Sequence, residues 1–152
     1  MASTLVPVDF FDPATARECL SEVAELESSD KVSYIDVPQY KAVLIYSVSG
    51  TEEDSVPEIF HILGMLGSCP EYNRIVASFK DGVLSLGVAQ GATLLLANEY
   101  KAPDFTTAQY YIFLTLHSLQ LNPEVSVIRF RSALGKEDEM SLYRYFKSVE
   151  TV

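Results

Sequence analysis

The side chains able to do chemistry are few and scattered. Nucleophilic catalysis needs a base beside its nucleophile, and His61 and His117 are the chain's two histidines. No Gly-x-Ser-x-Gly elbow accompanies either. His61 follows Phe60 in a helical segment, and His117 shares a helical side with Tyr110, Phe113, Leu114 and Leu121, so both read as histidines of the core or its margin. Cys19 and Cys69 stand apart, and His-Glu-x-x-His, Cys-x-x-Cys and EF-hand spacings are absent, so no metal ligand set is assigned. Glu52-Glu53-Asp54 places like charges side by side, the pattern of a solvated loop rather than a cation cage. Gly135-Lys136 resembles the end of a phosphate loop, but Glu137 replaces the hydroxyl residue and Phe130 the first glycine. Arg129 and Arg131 alternate along a strand and share a face, which suits a charged edge or a grip on an anion. No catalytic residue and no cofactor is therefore expected. One alternative remains, in which Lys80, Asp81 and the Gln90-Gly91 turn surround a phosphate.

Aromatic rings give a different signal. They cluster at Tyr110, Tyr111 and Phe113 and again at Tyr143, Tyr145 and Phe146, and each set spreads over more than one side of a helix. The chain has no Trp, and no basic residues interleave these rings, so a base-stacking platform is not expected. Contact with another protein surface, through Tyr110, Tyr111 and Phe113, is the functional reading to set beside ordinary core packing.

These residues need elements to carry them. Asp12-Pro13 is a helix start, and Ala16, Cys19, Leu20, Val23 and Leu26 recur at helical spacing, predicting a helix from Pro13 to Glu27. Val32 to Val37 and Tyr40 to Val48 read as strands joined through Pro38-Gln39, the second apolar enough to be covered on both faces. Ser49 to Val56 reads as a loop, and Pro57 opens a helix to about Gly67 in which Gly64 and Gly67 suggest close packing. Arg74 to Phe79, Val83 to Ala89 and Thr93 to Ala97 form a three-strand antiparallel meander, turned by Lys80-Asp81-Gly82 and Gln90-Gly91. Thr106-x-x-Gln109 caps a helix reaching Leu121, where Asn122-Pro123 stops it. A strand from Val125 to Arg131 and a helix from Glu137 to Val149 complete the chain, with Arg144 and Lys147 in the last turns. A meander followed by helix, strand and helix predicts an α/β mixed sheet of ribonuclease-H-like arrangement. The expected divisions are 1–68 and 69–152.

Composition agrees with a folded, soluble chain. Apolar residues make up 48% and charged residues 21%, which excludes disorder. Residues 1–60 carry 12 acids and 3 bases, whereas residues 61–152 carry 9 and 8, so the excess negative charge sits in the first part. Such a surface repels phosphate backbones and anionic lipid, so neither nucleic acid nor membrane is an expected partner. The stretch from Phe105 to Pro123 lacks charge, but seven polar side chains, from Thr106 to Gln120, make it unsuited to hydrocarbon. With no signal peptide in MASTLVPVDFF and isolated cysteines, the expected location is cytoplasmic.

Several segments together carry a resemblance. Thr4-Leu5-Val6-Pro7, Phe10-Phe11-Asp12, Tyr72-Asn73-Arg74-Ile75-Val76-Ala77-Ser78-Phe79, Leu94-Leu95-Leu96-Ala97-Asn98 and Phe105-x-x-Ala108-x-Tyr110-Tyr111 resemble an uncharacterised bacterial family of unknown function. Its members look like degenerate relatives of the actin-like ATPases, the superfamily of actin, sugar kinases and heat-shock chaperones. The resemblance spans nearly the whole chain and implies an actin-like lobe. Family members carry the Leu-Val-Pro segment well inside a longer chain, so a shortened or partial member is expected. Actin-like ATPases hold nucleotide with an Asp-x-Gly hairpin in each lobe, and Asp81-Gly82 departs from that pattern. The resemblance thus implies a fold without a working site. The expected function is a non-catalytic interaction or scaffold domain, forming a homodimer or binding an unidentified protein. A nucleotide- or phosphate-binding remnant is the alternative.

Overall fold

A computed structural model describes residues 2–48 and 56–151. The Glu52-Glu53-Asp54 run and the loop expected around it, up to residue 55, lie outside the described residues. The chain divides into two compact units, Met1–Phe60 and His61–Val152.

The first unit holds β1 (Ser3–Pro7), α1 (Ala16–Ser21), β2 (Lys31–Val37) and β3 (Ala42–Val48). Its antiparallel sheet has the order β1-β3-β2. Leu44 therefore faces Leu5 on one side and Ile35 on the other. β1, a short strand ending in proline, was not expected from the sequence, and it gives β3 a neighbour on each side. β3 is buried along its whole length, as its apolar run requires. The helix expected from Pro13 to Glu27 is a 3-10 turn, Pro13–Thr15, followed by six residues of α-helix. Leu20 and Ala16 pack on Ile45, while Val23 is exposed. The Arg17 guanidinium donates to the carbonyls of Glu27 (2.7 Å) and Asp30 (2.6 Å), tying down the chain that returns after the helix.

The second unit is built on a five-stranded sheet of order β6-β5-β4-β7-β8. The meander comprises β4 (Asn73–Lys80), β5 (Val83–Gln90) and β6 (Thr93–Lys101), each longer than its apolar run suggested. Asp81 (φ 52°) and Gly82 (φ 74°) make the first turn. Gly91 (φ 56°) and Ala92 make the second, one residue later than expected. β7 (Val127–Phe130) runs parallel to β4, and β8 (Ser148–Thr151) runs parallel to β7. Three antiparallel strands, a helix and two parallel strands separated by a helix constitute the ribonuclease-H-like arrangement. β8 was expected to be the end of a helix. That helix, α4, spans only Lys136–Tyr143, so Lys147 lies beyond it. Leu142, Phe146 and Val149 have helical spacing and all three are buried, but Val149 is buried by pairing with Ile128 in the sheet.

β5 is the strand on which both layers rest. Leu84, Leu86 and Val88 point into the core beneath α3 (Phe105–Ser118), together with Ile75, Ala77, Ile112, Leu116 and Phe130. Ser85, Gly87 and Ala89 lie on the other face by the alternation of the pleat. There, α2 (Glu58–Ser68) comes so close that a Cβ at Gly87 would stand 2.7 Å from both Ile62 Cγ2 and Leu66 Cδ1. Gly64 and Gly67, expected to permit close packing, are exposed instead.

Two substitutions test this packing. Gly87→Ala forces a branched side chain and a buried leucine to move, and it should cost about 1–3 kcal/mol by chemical denaturation. Gly82→Val should cost about 1 kcal/mol or more, because its left-handed backbone strains a β-branched residue. An unchanged midpoint for either variant contradicts the corresponding assignment.

Candidate functional site

α3 begins where Asp104, rather than the expected Thr106, takes the N-cap position. Its carboxylate accepts from Thr107 N at 2.8 Å, and that bond holds its pKa below the ordinary aspartate value. The helix ends at Ser118, short of Leu121. Gln120 adopts a left-handed conformation (φ 58°), and Leu121 N reaches back to Leu116 O at 2.9 Å. Between these caps Ala108, Ile112, Thr115 and Leu116 face the sheet.

The remaining rings are distributed unequally. Tyr111 stacks on Tyr100 of β6 with centroids 5.0 Å apart, and the Tyr100 hydroxyl lies 3.3 Å from Thr115 Oγ1. Phe113 lies 5.7 Å from buried Phe146 and meets Tyr145 edge-on at 4.8 Å. Both half-buried rings thus have ring neighbours within their own unit. Tyr110 instead stays 60% exposed, touching only the edge of Tyr111 among the ring contacts described, and Leu114 one turn on is 49% exposed. His117 continues this exposed stripe rather than entering the core. Leu114 and Tyr145 were named in the sequence, on the helical side of Tyr110 and in the second aromatic cluster, but neither was among the contact residues expected, although Leu114 follows Tyr110 by one helical turn.

A second group of polar residues gathers beside β7. This strand is flanked by β4 and β8, so it is not the charged edge that Arg129 and Arg131 suggested. Arg129 donates to both carboxylate oxygens of Glu71, at 2.5 and 2.7 Å, and meets Glu150 at 3.0 Å. The hydrogen bonds from Arg129 hold the Glu71 carboxyl below the ordinary glutamate pKa, and the pairing raises that of Arg129. Arg74 donates to the carbonyls of Glu71 (2.8 Å) and Leu66 (3.1 Å). Neighbouring Cys69 is buried and gives its thiol hydrogen to Met65 O at 3.3 Å. Burial pushes its pKa up, against the pull of Arg129, which keeps the sulfur protonated and unreactive near neutrality. The grip that Arg129 offers an anion is thus occupied by the chain's own carboxylates.

The four residues of the phosphate alternative are not brought together. Lys80 and Asp81 lie at one end of β5, and Gln90 and Gly91 at the other, about 24 Å apart at 3.4 Å per residue. Asp81 borders a shallow groove of about 380 Å³ with Gly82, Val83, Lys101, Ala102 and Pro103. Gln90 instead donates to Asn73 Oδ1 at 3.0 Å, and Gly91 N to Tyr72 O at 2.8 Å. Among the described residues no group of three or more His, Cys, Asp and Glu is placed to hold a metal, and no helix is long and apolar enough to cross a membrane.

Comparison with known proteins places this geometry. A family model described as a protein of unknown function (DUF3822) matches residues 1–149. A crystal structure from Bacteroides thetaiotaomicron, of a protein with an actin-like ATPase fold and unknown function, superposes with a TM-score of 0.80 at 16% identity. The match covers 99% of this chain and 65% of that one, so the chain spans just under two thirds of its structural relative. No curated protein matches. The fold is thus the mixed α/β fold of the actin-like ATPases.

The Arg129 cluster has a pH signature. Glu71 has a lowered pKa in the folded state, so its stabilising contribution is complete above the ordinary glutamate value of 4.5 and disappears as pH falls through the lower folded-state value. Glu71→Gln should therefore lower stability by about 1 kcal/mol at neutral pH, and the difference from the parent chain should vanish in acid. A difference independent of pH contradicts the pairing.

Proposed function

The chain belongs to the DUF3822 family of proteins of unknown function, and we propose that it acts as a non-catalytic protein-interaction domain built on an actin-like fold. The observation that carries this reading is the outer stripe of α3, where Tyr110 and Leu114 stand in solvent while Tyr111 and Phe113 anchor the surface beneath them. Rigid aromatic side chains on a well-packed helix give a partner contact area at little entropic cost. The chemistry inventory supports the same reading. The two histidines have no nucleophile elbow, the buried thiol is protonated, and the Arg129 guanidinium is satisfied internally. The partner is a protein, either a second copy or another chain.

Thermal denaturation with magnesium-ATP distinguishes this from a nucleotide-binding remnant. The melting temperature should not move, whereas a nucleotide at 100 times its dissociation constant would add about 2.7 kcal/mol. A saturable rise with ATP overturns the non-catalytic reading. The Tyr110→Ser, Leu114→Ser double variant should melt like the parent chain and yet associate more weakly. Loss of the fold in that variant would show that the stripe is core.

A further inference from the structure

We propose that the first unit carries a docking surface of its own, formed by Phe10 and the groove beside Val8, for a basic and apolar segment of another protein. This goes beyond the α3 reading and uses none of its residues.

Phe10 is 77% exposed, more than any other large apolar residue among those described. It closes a 3-10 turn, Val8–Phe10, that follows Pro7 and is tied at both ends: Val8 N donates to Lys41 O at 2.9 Å, and Phe11 N to Val8 O at 3.3 Å. The next ring goes the other way. Phe11 packs against the cluster of Ala16, Leu20 and Ile45 and meets Tyr34 of β2 with centroids 4.8 Å apart. One phenylalanine thus anchors the turn while its neighbour is held in water, and a ring with few rotamers on a fixed backbone loses little entropy when a partner buries it.

A groove opens at the other end of the turn. It has a volume of about 300 Å³ and is lined by Val8, Asp36, Pro38, Lys41 and Ala42. Asp36 and Tyr34 are two residues apart on β2 and share a face of that strand, which carries the surface from the groove to Phe11. Val8 and Tyr34 are about half exposed, so apolar area continues on both sides of the turn.

Charge selects the occupant. Asp9 and Asp12 flank the two phenylalanines and Asp36 lines the groove, against Lys41 as the cation of that lining. Asp9 and Asp36 are exposed and form no ion pair among the described residues. Residues 1–60 as a whole carry 12 acids and 3 bases. Phosphate backbones, anionic lipid and a second copy presenting this same face are all repelled, whereas lysine and arginine side chains are drawn in. Cations alone leave Phe10 in water, so the segment also brings aliphatic side chains, to fill the groove and surround the ring.

Fluorescence anisotropy with two short dye-labelled peptides tests the proposal, one alternating lysine with leucine and the other alternating glutamate with leucine. The lysine peptide should bind saturably and the glutamate peptide should not. Phe10→Ser and Asp36→Lys should each weaken binding by about tenfold or more, with thermal melting verifying that each variant is folded. Glu124→Lys, the same change of charge on the second unit, should bind as the parent chain does, and so should the Tyr110→Ser, Leu114→Ser double variant. No saturable binding of the lysine peptide, equal binding of both peptides, or an equal loss in Glu124→Lys overturns the proposal. Binding lost in the α3 double variant but kept in Phe10→Ser places the segment on α3, overturning this surface while leaving the interaction reading intact. A dimer in light scattering that Phe10→Ser dissolves makes a second copy the occupant and also overturns it.

Discussion

A bare Cα at Gly87 lets α2 lie directly against β5, and the second unit is arranged around that approach. The two faces of β5 differ in bulk: Ser85, Gly87 and Ala89 on the side of α2, and Leu84, Leu86 and Val88 on the side of α3. Interiors are close-packed, so small residues on one face commit that face to a close helix and leave the other to a layer of larger side chains. Ala108, Ile112, Thr115 and Leu116 meet that layer from α3. What α3 does not bury inward becomes the aromatic margin of Tyr111 and Phe113, and finally the exposed stripe of Tyr110 and Leu114.

Electrostatics completes the parallel half of the sheet. β7 and β8 are four residues each, a small ladder for two strands. Arg129 joins Glu71, just before β4, to Glu150 on β8, bridging three segments with one guanidinium. A bidentate pair with only partial exposure is worth more than a solvated one. The Tyr143 hydroxyl donating to Val149 O at 2.9 Å holds the same strand from the end of α4. Groups that would otherwise invite an anion or a nucleophile to this site are used to close the fold.

Much of this was legible in sequence, for physical reasons. The meander announced itself because Asp81-Gly82 and Gly91 supply the left-handed backbone that two-residue hairpins require. β8 was hidden because Leu142, Phe146 and Val149 satisfy a helical period that tertiary pairing overrides. β1 is five residues ending in proline, and a strand that short has little periodicity of its own. The Arg129–Glu71 pair joins residues 58 apart in sequence, beyond any local pattern. Gly87 left a fainter trace, the alternation of small and large residues along β5, which marks a strand covered unequally on its two faces. The exposed stripe was half legible: the aromatic excess of α3 is plain, but which rings have neighbours within the unit depends on Tyr100 and Phe146.

Amide hydrogen exchange with and without magnesium-ATP reads the central claim most directly, that the chain is an interaction domain without a nucleotide site. The exchange of every segment should be indifferent to magnesium-ATP. New protection at the Asp81-Gly82 turn when magnesium-ATP is added would contradict the account.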